Sequence, residues 1–277
     1  MKKNERAAAI VRTIVVSLIA VLFVVPLVWM VLSSLKTAPE VFARPFHWLP
    51  ARVQWQNYAT VWMNEEASML RAFANTLYIA LFSIIGQMFI SSLAAYSFAK
   101  INFKGKQVVF MLFLSSMMVP SQLTIIPRFM LFKTIGLYNN LWAIILPAFF
   151  GATSIFMLRQ FYMGLPNDLI EAAKIDGAGH LRIFLRIMLP LTKAALMSLI
   201  ILVFISSWNE YMAPLIFLVK KELYTVSQNI QWYMLDEFKE HNLTMAAATS
   251  AIVPVVILFI VGQKYFVEGI ATSGVKG

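Results

Sequence analysis

Cysteine is absent from the 277 residues of this chain, and histidine occurs only three times. Without a thiol the chain can form no disulfide, no thiolate nucleophile and no cysteine-ligated metal site, although the redox compartment stays open. Neither an HExxH zinc sequence nor a GxxxxGKS or GxxxxGKT phosphate loop occurs, so we predict that the chain itself binds neither catalytic zinc nor ATP. We therefore expect no catalytic residue, no metal ligand and no cofactor here, and we do not expect an enzyme.

Charge is also scarce, since charged residues make up 13% of the chain and hydrophobic residues 60%. A soluble domain is usually about 25% charged. Uncharged runs cover residues 13–35, 72–99, 107–127, 134–158, 194–209 and 241–263. Most of these runs reach the ~20 residues that a helix needs to cross ~30 Å of hydrocarbon. We predict an all-α, polytopic membrane protein whose residues 1–277 form one transmembrane domain. Its six spans are expected at about residues 12–34, 73–98, 107–127, 138–159, 186–209 and 243–263.

The formal net charge of +10 is explained by membrane orientation rather than by a nucleic-acid partner, which we do not expect. Lysine and arginine near the ends of spans keep loops on the cytoplasmic side. With both termini inside, 14 of the 23 basic residues fall in cytoplasmic segments. Those segments are residues 1–12, 99–107, 159–193 and 264–277. The first uncharged run could be a signal peptide, but its 23 residues exceed the usual 7–15, so we expect a retained span.

One predicted cytoplasmic loop, residues 164–186, contains its own helix signal. Asp168 can cap a helix, and Glu171 follows three residues later, as in a capping box. Gly177 and Gly179 are expected to end that helix after about eight residues. The residues predicted to share one face are Leu169, Ala172, Ala173 and Asp176. A helix this short is marginal alone, so it needs a partner surface, which is either another protein or its own transmembrane bundle.

The same loop carries a sequence that resembles a known family. Glu171-Ala172-Ala173, then Lys174-Ile175-Asp176-Gly177-Ala178, and later Ile187-Met188-Leu189-Pro190 are similar to the EAA loop of bacterial ABC importer permeases. Other segments that are similar lie at residues 34–37, 95–100, 208–211 and 269–277. The resemblance spans essentially the whole chain. It is strongest to the smaller, six-helix permease subunit of the carbohydrate-uptake, maltose-type importers.

The resemblance implies a permease subunit in an ATP-driven, binding-protein-dependent importer of a sugar or oligosaccharide. It implies a second homologous permease subunit, two cytoplasmic ABC ATPase subunits that bind ATP and Mg²⁺, and an extracytoplasmic solute-binding protein. It also implies a multi-pass protein of the bacterial cell membrane with a short cytoplasmic coupling helix between spans four and five. The residues that it assigns to ATPase coupling are Glu171, Ala172, Ala173, Asp176 and Gly177.

Polar and aromatic residues at or near membrane depth are candidates for a solute pathway. These candidates are Asn75, Ser115, Ser116, Gln122, Trp208, Asn209, Glu210 and Tyr211, with Gln87 as a further polar group. Aromatic rings beside amides and carboxylates suit sugar recognition because they offer stacking and hydrogen bonds together. The same residues also fit an interfacial aromatic belt or hydrogen bonds between helices, and the sequence leaves these alternatives open.

The main alternative function is an ion- or proton-coupled secondary transporter. Such carriers usually place ionisable groups inside their spans. Here the charges that closely adjoin predicted spans are Lys193 and Glu210, both near span ends. This arrangement favours a subunit that is driven from outside, and the coupling-type loop argues against a membrane scaffold without transport.

Overall fold

The computed structural model describes residues 2–235 and 240–274, with side chains described for residues 8–235 and 240–263. The last residues of the family-like tail, 275–277, lie outside the described residues. Every regular element within the described ranges is helical, which confirms the predicted all-α class.

The described residues form a succession of α-helices along the chain. They are α1 Lys2–Ser34, α2 Ala38–Val41, α3 Gln56–Met63, α4 Met69–Lys100, α5 Lys106–Ser115, α6 Ser121–Thr134, α7 Trp142–Ala148, α8 Ala152–Met163, α9 Asp168–Ile175, α10 His180–Ile183, α11 Leu189–Leu191, α12 Lys193–Asn209, α13 Met212–Phe217, α14 Val226–Leu235 and α15 His241–Gly274. Short 3₁₀ segments occur at Ser116–Met118 and Lys221–Leu223, and a π-helical turn at Phe184–Met188.

Four stretches are long and apolar enough to cross a bilayer as single helices or helix pairs. They are Ala8–Ser34, Met69–Lys100, Trp142–Met163 and His241–Gln263. Two further apolar pairs are sharply bent, Lys106–Met118 with Ser121–Thr134 by 95° and His180–Leu191 with Lys193–Asn209 by 76°. The described residues therefore contain six spans if each bent pair crosses as one.

The 95° bend lies inside the third predicted span and has a local cause. Pro120 offers no backbone N–H, and a proline disfavours the α conformation in the residue before it. Val119 is accordingly extended, with φ −84° and ψ 112°. The helix restarts at Ser121 and continues to Thr134, seven residues beyond the end predicted at 127.

The chain divides into two compact units, and the first comprises residues 1–70 with 229–253. In it, α1 exposes its apolar side chains along its length, as a lipid-facing span does. The C-terminal end of α1 is held by hydrogen bonds, because the Asn57 amide donates to the carbonyl oxygens of Ser34 and Lys36, both at 2.8 Å. Polar side chains therefore hold the segment that follows α1.

The second unit, residues 71–228 with 254–277, contains a dense apolar core around α9. We call this group the α9 core. Its buried residues are Ala95, Tyr96, Ile155, Leu158, Tyr162, Ile170, Ala173, Ile183, Phe184, Met188 and Leu199. They come from α4, α8, α9, α12 and the residues between α9 and α12, so α9 is packed into its own unit.

Candidate functional site

The short helix α9 runs from Asp168 to Ile175 and has the predicted eight residues. Its start differs from the prediction, since Asn167 occupies the N-cap position and makes no side-chain cap hydrogen bond. The predicted capping box of Asp168 and Glu171 is therefore wrong. The side-chain oxygen of Asn167 instead accepts a hydrogen bond from the Lys100 ammonium at 2.6 Å.

The end of α9 is set by a glycine in the left-handed region. Gly177 has φ +78°, a conformation that glycine adopts without the steric cost of a side chain. The Ala178 N–H donates to the Ala173 carbonyl at 2.9 Å, and the Gly177 N–H to the Lys174 carbonyl at 3.0 Å. These two bonds form a Schellman motif. Gly179 has φ −73° and precedes α10. The turn that terminates α9 is therefore formed by Gly177 and not by Gly179.

The two faces of α9 have different environments. Ile170 and Ala173 are 5% and 8% exposed in the α9 core. Ala173 therefore faces inward, although the sequence analysis predicted that it shares one face with Leu169, Ala172 and Asp176, which are exposed. The exposed residues of α9 and its C-cap form a surface that we call the outer face, and they are Asp168, Leu169, Glu171, Ala172, Lys174, Ile175 and Asp176. The helix thus rests on its own bundle and still presents a second surface.

A cavity of about 950 Å³ lies within residues 71–228. Its walls come from α4, α6, α7, α8, α12, α13 and the residues that connect α7 to α8 and α12 to α13. Its polar lining residues are Ser83, Gln87, Ser121, Gln122, Arg128, Thr153, Ser154, Ser206, Ser207, Asn209, Glu210 and Tyr211. The Gln87 amide donates to the Ser154 hydroxyl at 2.8 Å, which links α4 to α8. Among the described residues, no cluster of three His, Asp or Glu side chains could hold a metal ion.

The cavity brings together only some of the pathway candidates. Gln122, Asn209, Glu210 and Tyr211 line it. Asn75, Ser115, Ser116 and Trp208 do not. The Asn75 amide donates to the Glu222 carbonyl at 2.8 Å, and Trp208 is 2% exposed. The hydrogen bond to another segment explains the position of Asn75, and ring packing explains that of Trp208.

The two serines near the bend bond locally. The Ser115 and Ser116 hydroxyls donate to the carbonyl oxygens of Leu112 and Phe113, three residues earlier, at 2.7 and 2.6 Å. Such bonds offer the backbone an alternative to its regular ladder and often occur where helices bend. A role of Ser115 and Ser116 in the pathway stays a prediction.

Arg128 is a charged cavity residue that sequence reasoning missed, and Ser83, Ser121, Thr153, Ser154, Ser206 and Ser207 are further lining residues that it did not name. The Arg128 guanidinium lies over the Phe217 ring, 4.9 Å from the centroid, and its Nε is buried without a hydrogen-bond partner among the described residues. The residue was overlooked because its charge ends the uncharged run that marked the third span. The claim that only Lys193 and Glu210 adjoin the spans was therefore wrong.

Glu210 faces the same cavity with the opposite charge. Its Oε1 accepts a hydrogen bond from the Ala213 N–H at 3.0 Å, in the first turn of α13, where negative charge is favoured. A rigid cationic donor and an anchored carboxylate acceptor thus border one polar space, beside hydroxyl and amide groups. This set can bind a ligand that both donates and accepts hydrogen bonds.

Known proteins with similar sequences extend over nearly the whole chain. The chain is 33% identical over 267 residues to the arabinooligosaccharides transport system permease protein AraQ of Bacillus subtilis (strain 168), covering 96% of this chain and 95% of the relative. It is 30% identical over 269 residues to the melibiose/raffinose/stachyose import permease protein MelC of the same strain, covering 96% of each.

A solved structure has the same fold. It is described as a bacterial ABC transporter involved in the import of the acidic polysaccharide alginate, and it superposes with a TM-score of 0.84 at 23% identity. The match covers 95% of this chain and 98% of that chain. Residues 87–272, which include α9 and most of the cavity, match the family of the binding-protein-dependent transport system inner membrane component. This match and the two relatives above show that the chain belongs to that family.

Proposed function

We propose that this chain is the permease subunit of an ATP-driven, binding-protein-dependent importer of a sugar or oligosaccharide. It would form half of the translocation pathway in the bacterial cell membrane, with a second homologous permease subunit forming the other half. Two cytoplasmic ABC ATPase subunits would bind ATP and Mg²⁺, and an extracytoplasmic solute-binding protein would deliver the solute. Both termini would be cytoplasmic, and this chain would catalyse no reaction.

The observation that carries the proposal is the two-sided environment of α9. Its inner face is fixed by Ile170 and Ala173, so the bundle supplies the support that a short helix needs. Its outer face keeps Ile175 86% exposed, next to Ala172 and Glu171. Small and apolar side chains allow close docking, and Glu171 can pair with a basic group. This surface fits a cleft on an ATPase subunit.

The cavity supports a hydroxyl-rich solute. Its volume of about 950 Å³ lies at the upper end of the range for small-molecule sites. A sugar hydroxyl donates and accepts hydrogen bonds, so the same solute could meet the Arg128 guanidinium and the Glu210 carboxylate. The names of the two relatives define a test panel of arabinooligosaccharides, melibiose, raffinose and stachyose.

One specific observation favours a second candidate function, that of an ion- or proton-coupled transporter. Arg128 and Glu210 are ionisable, and both line a cavity between membrane-crossing helices, which is where coupled carriers place such groups. An importer driven by ATP needs no such titration. The energy source of transport therefore separates the two candidates.

The test is reconstitution of the tagged chain with the proteins that co-purify with it. The proposal predicts bound ATPase subunits and solute uptake that requires ATP, with hydrolysis stimulated by the solute-loaded binding protein. Replacing Ala172 with tryptophan should release the ATPase subunits, whereas the same change at Leu181, which is 66% exposed outside α9, should not. Uptake that follows a proton or sodium gradient without an ATPase would refute the proposal.

A further inference from the structure

We propose that Lys100 and Tyr96, one helical turn apart on α4, fasten α9 to α4, and that α4 carries the displacement of α9 to the cavity. The inference rests on the proposed function, because it needs an ATPase that moves α9. It goes further by naming the residues that transmit the movement, none of which belongs to the outer face.

The first fastening lies just before α9. The Lys100 ammonium donates to the Leu165 carbonyl at 2.7 Å and to the Asn167 side-chain oxygen at 2.6 Å. The Asn167 carbonyl accepts the N–H groups of Ile170 and Glu171 at 2.8 and 3.0 Å. Hydrogen bonds from a charged donor are stronger than neutral ones. The last residue of α4 is therefore bonded to the N-cap residue of α9.

The second fastening lies just after α9. The Tyr96 hydroxyl and the His180 Nδ1 are 3.1 Å apart, and His180 is the first residue of α10. Tyr96 is 3% exposed in the α9 core, and its ring lies 5.4 Å from that of Phe184. Because packing fixes the ring, the hydroxyl has little freedom to follow His180 if α9 shifts alone.

The two fastenings lie on either side of α9 in the sequence. Residues four apart occupy one face of a helix, so Lys100 and Tyr96 form a single contact surface. Between them, Ile170 and Ala173 place the inner face of α9 in the same core. A displacement of α9 must therefore move the end of α4 or break charge-assisted hydrogen bonds and buried contacts.

Helix α4 can carry such a displacement over a distance. It runs unbroken from Met69 to Lys100 without an internal proline, whereas two other apolar pairs are bent by 95° and 76°. Ile79, Ser83 and Gln87 on α4 line the cavity. Thirteen residues separate Ser83 from Tyr96, which corresponds to about 20 Å of helix. One unbroken helix thus joins the fastened end to the cavity wall.

The test measures solute transported per ATP hydrolysed by the complete importer in proteoliposomes. We expect Lys100→Ala to lower this ratio about tenfold, within the range of ordinary coupling between sites. Lys104→Ala is the matched control, since Lys104 is an exposed lysine in the loop that follows α4 and its replacement removes the same charge. Lys100→Arg should restore most of the ratio because a guanidinium can donate to both acceptors. Tyr96→Phe, which keeps the ring, should lower the ratio about threefold.

Three results would overturn the proposal. Lys100→Ala could reduce transport and hydrolysis by the same factor, it could change neither, or Lys104→Ala could match it. If the Lys100→Ala variant does not assemble, a second test uses Lys100→Cys together with Asn167→Cys, because the chain has no other cysteine. Cross-linking the two thiols should raise the ratio above that of the same variant before cross-linking. A ratio that does not rise would also refute the proposal. Failure of the proposed function is distinct, because the unaltered importer would then show no ATP-driven uptake.

Discussion

The two parts of α4 border very different surroundings. Near Tyr96, the α9 core is dense, and Tyr162, Ile183 and Met188 are fully buried there. Near Ser83, polar side chains that include Gln87, Arg128 and Glu210 line a cavity of about 950 Å³. Dense packing transmits displacement, whereas a cavity lined by polar groups leaves room for a ligand. We infer that one part transmits movement and the other meets the solute.

The largest effect is expected from Ile170→Ala, which would weaken packing in the α9 core. Removing this buried side chain should lower the free energy of unfolding by about 2–4 kcal/mol, as measured by thermal unfolding of the purified chain without ATPase subunits. Ile175→Ala on the same helix is the control, because Ile175 is 86% exposed. It should leave stability unchanged and weaken ATPase binding. Equal losses of stability in both variants would contradict the assignment of the two faces.

A smaller effect is expected from Gly177→Ala, which would change the turn after α9. The left-handed conformation costs a residue with a side chain about 1–2 kcal/mol, so the variant should unfold earlier and transport less per ATP. Gly179→Ala is a matched control, because both glycines have open space around an added methyl group and only Gly177 has positive φ. Similar melting temperatures for the two variants would show that the turn is not required.

Sequence reasoning predicted the local features of this fold well. The uncharged runs correspond to helices, and Gly177 ends an eight-residue helix. The bend at Pro120 was missed because a run was judged by the absence of charge, which gives no weight to a proline within it. Arg128 was missed for the related reason that a charge was taken as the end of a span.

The remaining features depend on contacts that sequence spacing does not reveal. Lys100 and Asn167 are 67 positions apart. Asp168 does not have the predicted capping role, because Asn167 occupies the N-cap position and its side chain bonds Lys100. The cavity gathers Gln122 and Glu210 from distant segments and leaves Trp208 in a packed position. Composition can propose polar residues for a pathway, but only tertiary packing decides which of them meet.

The role of the polar cavity beside α4 is tested by Arg128→Ala. Loss of a positioned donor should raise the KM for uptake about fivefold. Stability should fall little, because a charge without a hydrogen-bonded counterion is removed from a partly buried site. Arg128→Lys should give an intermediate KM, since lysine keeps the charge and loses the planar contact with Phe217. An unchanged KM in uptake assays would remove Arg128 from the pathway.

The smallest effect is expected in the first unit at Glu40, which belongs neither to the α9 core nor to the lining of the cavity that contains Arg128. Hydrogen bonds from the Thr37 amide and hydroxyl lower the pKa of Glu40 below its usual 4.5. The ionised form is thus favoured by folding, so its stabilisation is full above pH 4.5 and is lost as the pH falls through the lowered pKa. Glu40→Gln should speed hydrogen exchange of the Thr37 amide slightly at neutral pH. The difference from the unaltered chain should vanish in acid, and its persistence there would contradict this cause.

The central claim is that the outer face of α9 is cytoplasmic and docks an ATPase subunit. Because the chain has no cysteine, Ala172→Cys and Ala173→Cys place single thiols on the exposed and buried faces of α9. We predict that Ala172→Cys reacts with a membrane-permeant maleimide but not with an impermeant one added outside, and that the ATPase subunits protect it. Ala173→Cys should react slowly throughout. Labelling of Ala172→Cys from outside, or equal labelling with and without the ATPase subunits, would contradict the account.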